Sequence, residues 1–214
     1  MAKTIKILNL YSGIGGNRKL WPSNIEVTAV EINKEIASIY QKFFPNDKVI
    51  VADAHQYLLD HYKEFDFIWA SPPCPTHSRM TYMTAMSENE KNSHESFRPR
   101  YPDMNLYQEI IFLKTYFKGK WVVENVISYY EPLIRPFTYE SHYYWANFII
   151  DGKKVGFRCH DGTLKKIQDL KGFDISKYKL TTVRKDQVLR NCVEPRAGFN
   201  IFNSAFKIKQ TKLG

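Results

Sequence analysis

Lys3-Thr4-Ile5-Lys6-Ile7-Leu8-Asn9-Leu10-Tyr11-Ser12-Gly13-Ile14-Gly15-Gly16-Asn17 opens the chain's ordered pattern and sets its class. Lys3 to Tyr11, with Ile5, Ile7, Leu8 and Leu10 apolar, reads as a buried strand. Glycines directly behind such a strand permit positive φ and let backbone N–H groups come close to a ligand, which makes a candidate nucleotide cradle. A glycine cluster also makes ordinary tight turns, so the next segment has to decide. Ile25 to Val30 alternates like a second strand and ends in Glu31. An acid at that point commonly accepts hydrogen bonds from ribose hydroxyls; the alternative is a plain strand-end carboxylate. Asn33 then offers a helix cap, and Ile36, Ile39, Tyr40 and Phe43 follow at helical spacing until Pro45. Lys48 to Ala52 reads as a third strand with Asp53 at its end, placed to touch a ligand, to cap the segment containing Tyr57 to Leu59, or both. The alternation of strand and helix predicts an α/β fold with a mostly parallel sheet.

Phe65 to Ala70 is a further buried strand, and it delivers Ser71-Pro72-Pro73-Cys74-Pro75-Thr76-His77-Ser78 to the sheet's carboxyl edge, where open α/β sheets bind ligands. The prolines fix φ and keep Cys74 on a stiff extended loop. Its thiol is either a presented nucleophile or a small hydrophobe packed inward. The polar stretch from His77 to Pro102, carrying Arg79, Arg98 and Arg100, reads as a mobile loop able to close over a substrate at Cys74, or as a surface insertion. Leu106, Ile110, Leu113 and Phe117 predict a helix from Asn105, capped by Gly119. Lys120 to Val123 is then a fifth strand that brings Glu124-Asn125-Val126 to the same edge as Cys74, where an acid beside a nucleophile suits general acid chemistry. Tyr143 to Ile150 reads as another strand, and a helix is expected from Asn200 to Lys207.

A chain of 214 residues with 43% hydrophobic and 15% aromatic content is suited to one folded domain with a small appendage. Cys74, Cys159 and Cys192 are odd in number and lack paired metal-ligand spacing, so the simplest reading is a reducing, intracellular setting without a metal. The first residues run straight into a strand without the apolar stretch of a signal peptide or membrane span, and a soluble, cytoplasmic protein is expected. The net charge of +9 is uneven: Asp151 to Arg190 holds 11 basic and 5 acidic residues. Such a patch either attracts a polyanion, most commonly a phosphate backbone, or is a solvated lysine-rich surface.

Tyr11-Ser12-Gly13-Ile14-Gly15-Gly16, Glu31, Asp53, Ser71-Pro72-Pro73-Cys74 with Ser78, and Glu124-Asn125-Val126 together resemble the cytosine-5 DNA methyltransferase family, in that family's order. Arg190-Asn191-Cys192-Val193 looks like its last motif. The resemblance implies a Rossmann-like sheet of seven strands in a catalytic domain of residues 1–150 plus 183–214, with 151–182 a small basic insertion like a target-recognition region. It implies S-adenosylmethionine as cofactor, with S-adenosylhomocysteine as product. The loop from Tyr11 to Gly16 would hold the methionine end, Glu31 with Ile32 the ribose, and Asp53 with Ala54 the adenine; Pro72, Asn191 and Cys192 would complete the pocket. Cys74 would add to carbon 6 of a flipped-out cytosine, its thiolate favoured by nearby positive charge or backbone donors, while Glu124 shares a proton with the ring. No metal is required.

The implied partner is double-stranded DNA, with RNA the alternative because family relatives methylate transfer RNA. Ser78, Arg79, Asn125, His142, Lys165 and Lys166 would lie along the nucleic acid. The chain departs from the family in three places. Pro75 stands where glutamine is usual, no arginine precedes Tyr143 and His142 occupies that region, and the recognition region is short. A short, phage-like enzyme of relaxed specificity, or one whose recognition comes from a partner protein, fits that economy. A catalytically weak binding subunit is the non-enzymatic alternative.

Overall fold

The structure, a computed structural model, describes residues 4–79, 83, 101–152 and 163–206. Most of the loop expected over 77–102 lies outside these residues, as do Cys159 and Lys207. Seven strands form one sheet in the order β3-β2-β1-β4-β5-β7-β6. They are β1 (Ile5–Leu10), β2 (Ile25–Val30), β3 (Lys48–Ile50), β4 (Phe67–Ala70), β5 (Lys120–Val126), β6 (Phe137–Tyr139) and β7 (His142–Ala146). The first five run parallel, and β7 pairs antiparallel with both β5 and β6. This is the expected Rossmann-like arrangement. In the register Ile7 lies opposite both Val27 and Phe67, and all four residues of β4 are buried, as a central parallel strand covered on both faces requires.

Helices α1 (Lys34–Phe43), α2 (Ala54–His61) and α3 (Asn105–Tyr116) follow the predicted spacing. Asn33 caps α1 as expected, its side-chain oxygen accepting from Glu35 N–H and Ile36 N–H. Leu106, Tyr107, Ile110 and Leu113 of α3 and Leu58 of α2 cover one sheet face with Leu8, Leu10, Ile68 and Val123. Gly119 does not cap α3, whose cap residue is Phe117; it presses instead on the carbonyl of Asp66, where a Cβ would collide. No helix joins β1 to β2. Residues 11–24 turn back through Gly13 and Gly15, and buried polar pairs hold them: Asn9 and Asn17 exchange amide hydrogen bonds of 2.7 and 3.3 Å, and Arg18 grips Asp47 at 2.9 Å.

The sheet face left open there is taken by the end of the chain. The last helix begins at Pro195 rather than Asn200, because proline is favoured in the first turn and Glu194 accepts from Ala197 N–H at 2.8 Å. In chain order it is α6 (Pro195–Phe206), after α4 (Leu164–Lys171) and α5 (Lys185–Asn191). Ile201, Phe202 and Ala205 pack with Ile7, Val27, Phe67, Trp69 and Val122, and Trp21 stacks on Phe202 at 5.1 Å. Gly198 lies inside this helix, and its missing Cβ lets the helix close on the backbone of Asn17, which a Cβ there would strike. The basic segment also contributes to the core: Ile167, Phe173 and Ile175 join Ile14, Ile39, Val188 and Leu189. Strand β6 has no clear sequence signal, being three residues long and joined to β7 by a turn in which Glu140 has φ 53°. Among the described residues no helix is long and apolar enough to cross a membrane.

Candidate active site

Strand order reverses between β1 and β4, and the loops behind both strands diverge there to open a cleft of about 320 Å³. The first loop supplies Tyr11, Ser12, Gly13, Gly16 and Asn17; the second supplies Ser71 to Pro75; β5 and β7 add Glu124, Asn125, Val126 and His142. The far wall is the return segment, with Val183, Gln187, Val188 and Arg190 to Val193.

On the β1 side Gly13 has φ +54°, and nothing lies within 4 Å of the place a Cβ would occupy. The buried Ser12 Oγ has no hydrogen-bond partner among the described residues. Glu31 lies beside them, accepting from Gly13 N–H at 3.0 Å and Asn33 N–H at 2.9 Å. Burial pushes its carboxyl up against the pull of these amides. An open glycine, an orphan hydroxyl and a buried carboxylate fit a ligand that offers hydroxyls and a carboxylate of its own, such as S-adenosylmethionine. Gly16 serves a different purpose: a Cβ would collide with Val193 O and Cys192 Sγ, so its bareness lets the return segment close in. Lys171, buried, donates from Nζ to Leu189 O at 2.8 Å and to Cys192 O, ending α5 at the pocket wall.

On the β4 side the proline loop is clamped. Asn125 Nδ2 donates to Pro72 O at 3.1 Å and Ser71 N–H to Leu10 O at 3.3 Å. Cys74 closes a turn through His77 N–H and Ser78 N–H, and its half-buried thiol faces the cleft. Burial, and then the charge of Glu124, push this thiol up, the reverse of the expected bias toward thiolate. Glu124 is buried, and His142 Nε2 stands 3.6 Å from its Oε1. The strand register explains the encounter, since Glu124 pairs with Tyr144 and Val126 with His142, so Glu124 and His142 share one face.

The cleft thus brings together Tyr11, Ser12, Gly13, Gly16, Glu31, Ile32, Pro72, Cys74, Glu124, Asn125, His142, Asn191 and Cys192. Other expected residues lie elsewhere. Ile14 is core, Gly15 packs on Tyr40 and Phe44, and Ala54 is buried in the first turn of α2. Asp53 caps α2 through Gln56 N–H at 2.8 Å, outside the cleft. Asn125, expected at the nucleic acid, is 2% exposed and spends its amide on the proline loop. Ser78 bridges to Ser128, and Arg79 Nε donates to Ser128 O at 2.8 Å, so both tie the loop behind β4 to the loop behind β5. Lys165 and Lys166 are exposed on α4, beyond the cleft. Sequence reasoning missed Val183 and Gln187, which reach the cleft through the fold of the return segment and are announced by no local motif.

Comparison with known proteins bears on the same segment. Residues 5–98 match the model of the C-5 cytosine-specific DNA methylase family. A human tRNA (cytosine(38)-C(5))-methyltransferase is 27% identical over 96 residues, which is 42% of this chain and 24% of that protein. The match therefore spans about a quarter of that relative's length. Among solved structures, a DNMT2 mutant of Spodoptera frugiperda aligns over 77% of this chain and 59% of its own, with 21% identity and a TM-score of 0.46. A SAM-dependent methyltransferase of Agrobacterium tumefaciens aligns over 61% and 41%, with 15% identity and a TM-score of 0.41. The family match thus covers residues 5–98, less than half of the chain, and these residues include β1 to β4 of the seven-stranded sheet.

Proposed function

We propose that the chain transfers a methyl group from S-adenosylmethionine to carbon 5 of a cytosine in DNA, with Cys74 as covalent nucleophile. The observation that carries this reading is the single cleft shared by the Gly13 cradle, Glu31, Cys74 and Glu124. The cofactor supplies an electrophilic methyl; Ser12, Gly13, Glu31 and the wall at Asn191 and Cys192 are the residues to hold it. A cytosine ring is too weak a nucleophile at carbon 5 until a thiolate adds at carbon 6. Glu124 holds the ring nitrogen and shares a proton with it, so negative charge does not accumulate as Cys74 adds. That same contact takes up the charge that otherwise disfavours the thiolate, and the arriving base thereby activates its own nucleophile. A base then removes the proton from carbon 5 and Cys74 is expelled. Since a stacked cytosine cannot enter the cleft, the target base has to be flipped out.

A second reading, methylation of transfer RNA, is favoured by the human relative, whose name specifies a tRNA cytosine. The exposed basic face at Lys165 and Lys166 suits either backbone, and recognition beyond 151–182 would come from a partner chain. The test is incubation of the wild type and Cys74→Ala with methyl-labelled S-adenosylmethionine and either duplex DNA or transfer RNA. Label is expected in DNA with the wild type and in neither substrate with the variant, a loss of at least ~10³-fold for a nucleophile. Label in transfer RNA alone would select the second reading. Label in neither, from a protein that binds S-adenosylhomocysteine, would overturn both.

A further inference from the structure

The return segment that walls the cleft is fastened to α1 by one carboxylate. Glu35 accepts from four donors within 3.1 Å, the backbone N–H and the hydroxyl of both Thr181 and Thr182, with the Thr181 N–H shared between its two oxygens. Asn33 Nδ2 adds a fifth tie, to Thr182 Oγ1 at 2.8 Å. The clasp joins residues 146 apart in sequence. Its two sides border the same space: Ile32 and Ile36, beside Glu35, line one wall of the cleft, and Val183, Gln187 and Val188, just after the threonines, line the other. The threonine hydroxyls hold the Glu35 carboxyl at about 2, so the acceptor stays ionised across the working pH range and its bonds keep the strength of charge-assisted ones. The clasp residues Glu35, Thr181 and Thr182 lie outside the cleft lining, and the link to it runs through Asn33, whose N–H also donates to Glu31 at 2.9 Å.

We propose that Glu35 is a positioning residue, which through Thr181 and Thr182 holds the return segment against α1 and so sets cofactor affinity. The proposal rests on the reading of this cleft as a cofactor pocket, and its test separates the two. Wild type, Glu35→Ala, Thr182→Val and Thr182→Ser are compared by calorimetric binding of S-adenosylhomocysteine, by amide hydrogen exchange over residues 181–188 in the ligand-free protein, and by the rate of Cys74 alkylation. Glu35→Ala and Thr182→Val are expected to speed exchange across 181–188 and to weaken binding about tenfold, as loss of hydrogen bonds to a charged group predicts, while alkylation is unchanged. Thr182→Ser, which keeps the hydroxyl, is expected to match the wild type. The double variant Glu35→Ala with Thr182→Val is expected to bind no more weakly than the worse single, because both remove one clasp. If Glu35→Ala does not fold, the valine and serine variants decide between them. Unchanged exchange over 181–188, or equal affinity in the valine and serine variants, would overturn the proposal. If the wild type itself binds no S-adenosylhomocysteine, the cofactor reading fails, and the exchange measurement still decides whether the clasp holds the segment.

Discussion

On the β1 side of the cleft most polar groups find partners within the protein, the Ser12 hydroxyl excepted: Glu31 takes the amides of Gly13 and Asn33, and Asn17 exchanges amides with Asn9. On the β4 and β5 side burial and the charge of Glu124 raise the cost of ionising Cys74, and His142 is the one basic side chain within 4 Å of Glu124 among the described residues. On the proposed function, the difference follows from what each side has to do. A cofactor pocket gains affinity by being preorganised, so its donors and acceptors are fixed in advance. A nucleophile that is ionised before its substrate arrives is exposed to side reactions, and here the thiol is kept protonated by burial and a neighbouring carboxylate.

The sharpest way to break this contrast is Glu124→Gln. Methyl transfer is expected to fall by about 10²- to 10⁴-fold, the scale of a lost proton-transfer group. Alkylation of Cys74 by iodoacetamide at neutral pH is expected to speed up in the same variant, because the negative neighbour that raises the thiol's pKa is gone. Slower alkylation would mean that Glu124 helps the thiol in the ligand-free protein.

The next effect is on stability. Burial pushes the Cys192 thiol up to about 11, above its unfolded value of about 8.5. Between those values the folded state binds the extra proton, so stability is complete below about pH 8.5 and falls as pH rises toward 11, by roughly 2–3 kcal/mol. Thermal melts of the wild type and Cys192→Ala across that range are expected to differ in slope, and parallel curves would remove this thiol from the account. Gly16→Ala, which drives a methyl into Val193 O and Cys192 Sγ, is expected to destabilise by about 1–3 kcal/mol and to weaken S-adenosylhomocysteine binding in the same sample. The smallest effect is expected for Lys165→Glu with Lys166→Glu. Nucleic-acid binding weakens and its salt slope drops by roughly one per lost phosphate contact, while cofactor affinity holds. An unchanged slope would place the footprint elsewhere.

Much of the sheet was legible because buried parallel strands are short apolar runs and their ends carry the polar residues: Ser12, Glu31 and Ser71 fall just past a strand, and Glu124 lies two residues before the end of β5. Asn33 was legible for a local reason, a side chain capping its own helix. The rest depends on partners distant in sequence. Gly198 looks like a helix breaker until Asn17 is set against it, and Thr181 and Thr182 look like loop residues until Glu35 is. Asp53 shows the capping role that its place before a helix announces, and Asn125 lines the cleft while its amide clamps the proline loop, a contact with a partner distant in sequence.

The position of α6 has a consequence for how the protein is made. Ile7, Val27, Phe67, Trp69 and Val122 are all synthesised before the helix that covers them, whose Ile201, Phe202 and Ala205 come from the final stretch of the described chain. A nascent chain therefore carries one finished sheet face and one bare one until residues 195–206 leave the ribosome, and only then does Gly198 seat against Asn17 and complete the loop behind β1. Without residues 195–206 the side chains of Ile7, Phe67 and Trp69 lose the cover of Ile201, Phe202 and Ala205, so this one helix completes both the sheet face and the loop behind β1.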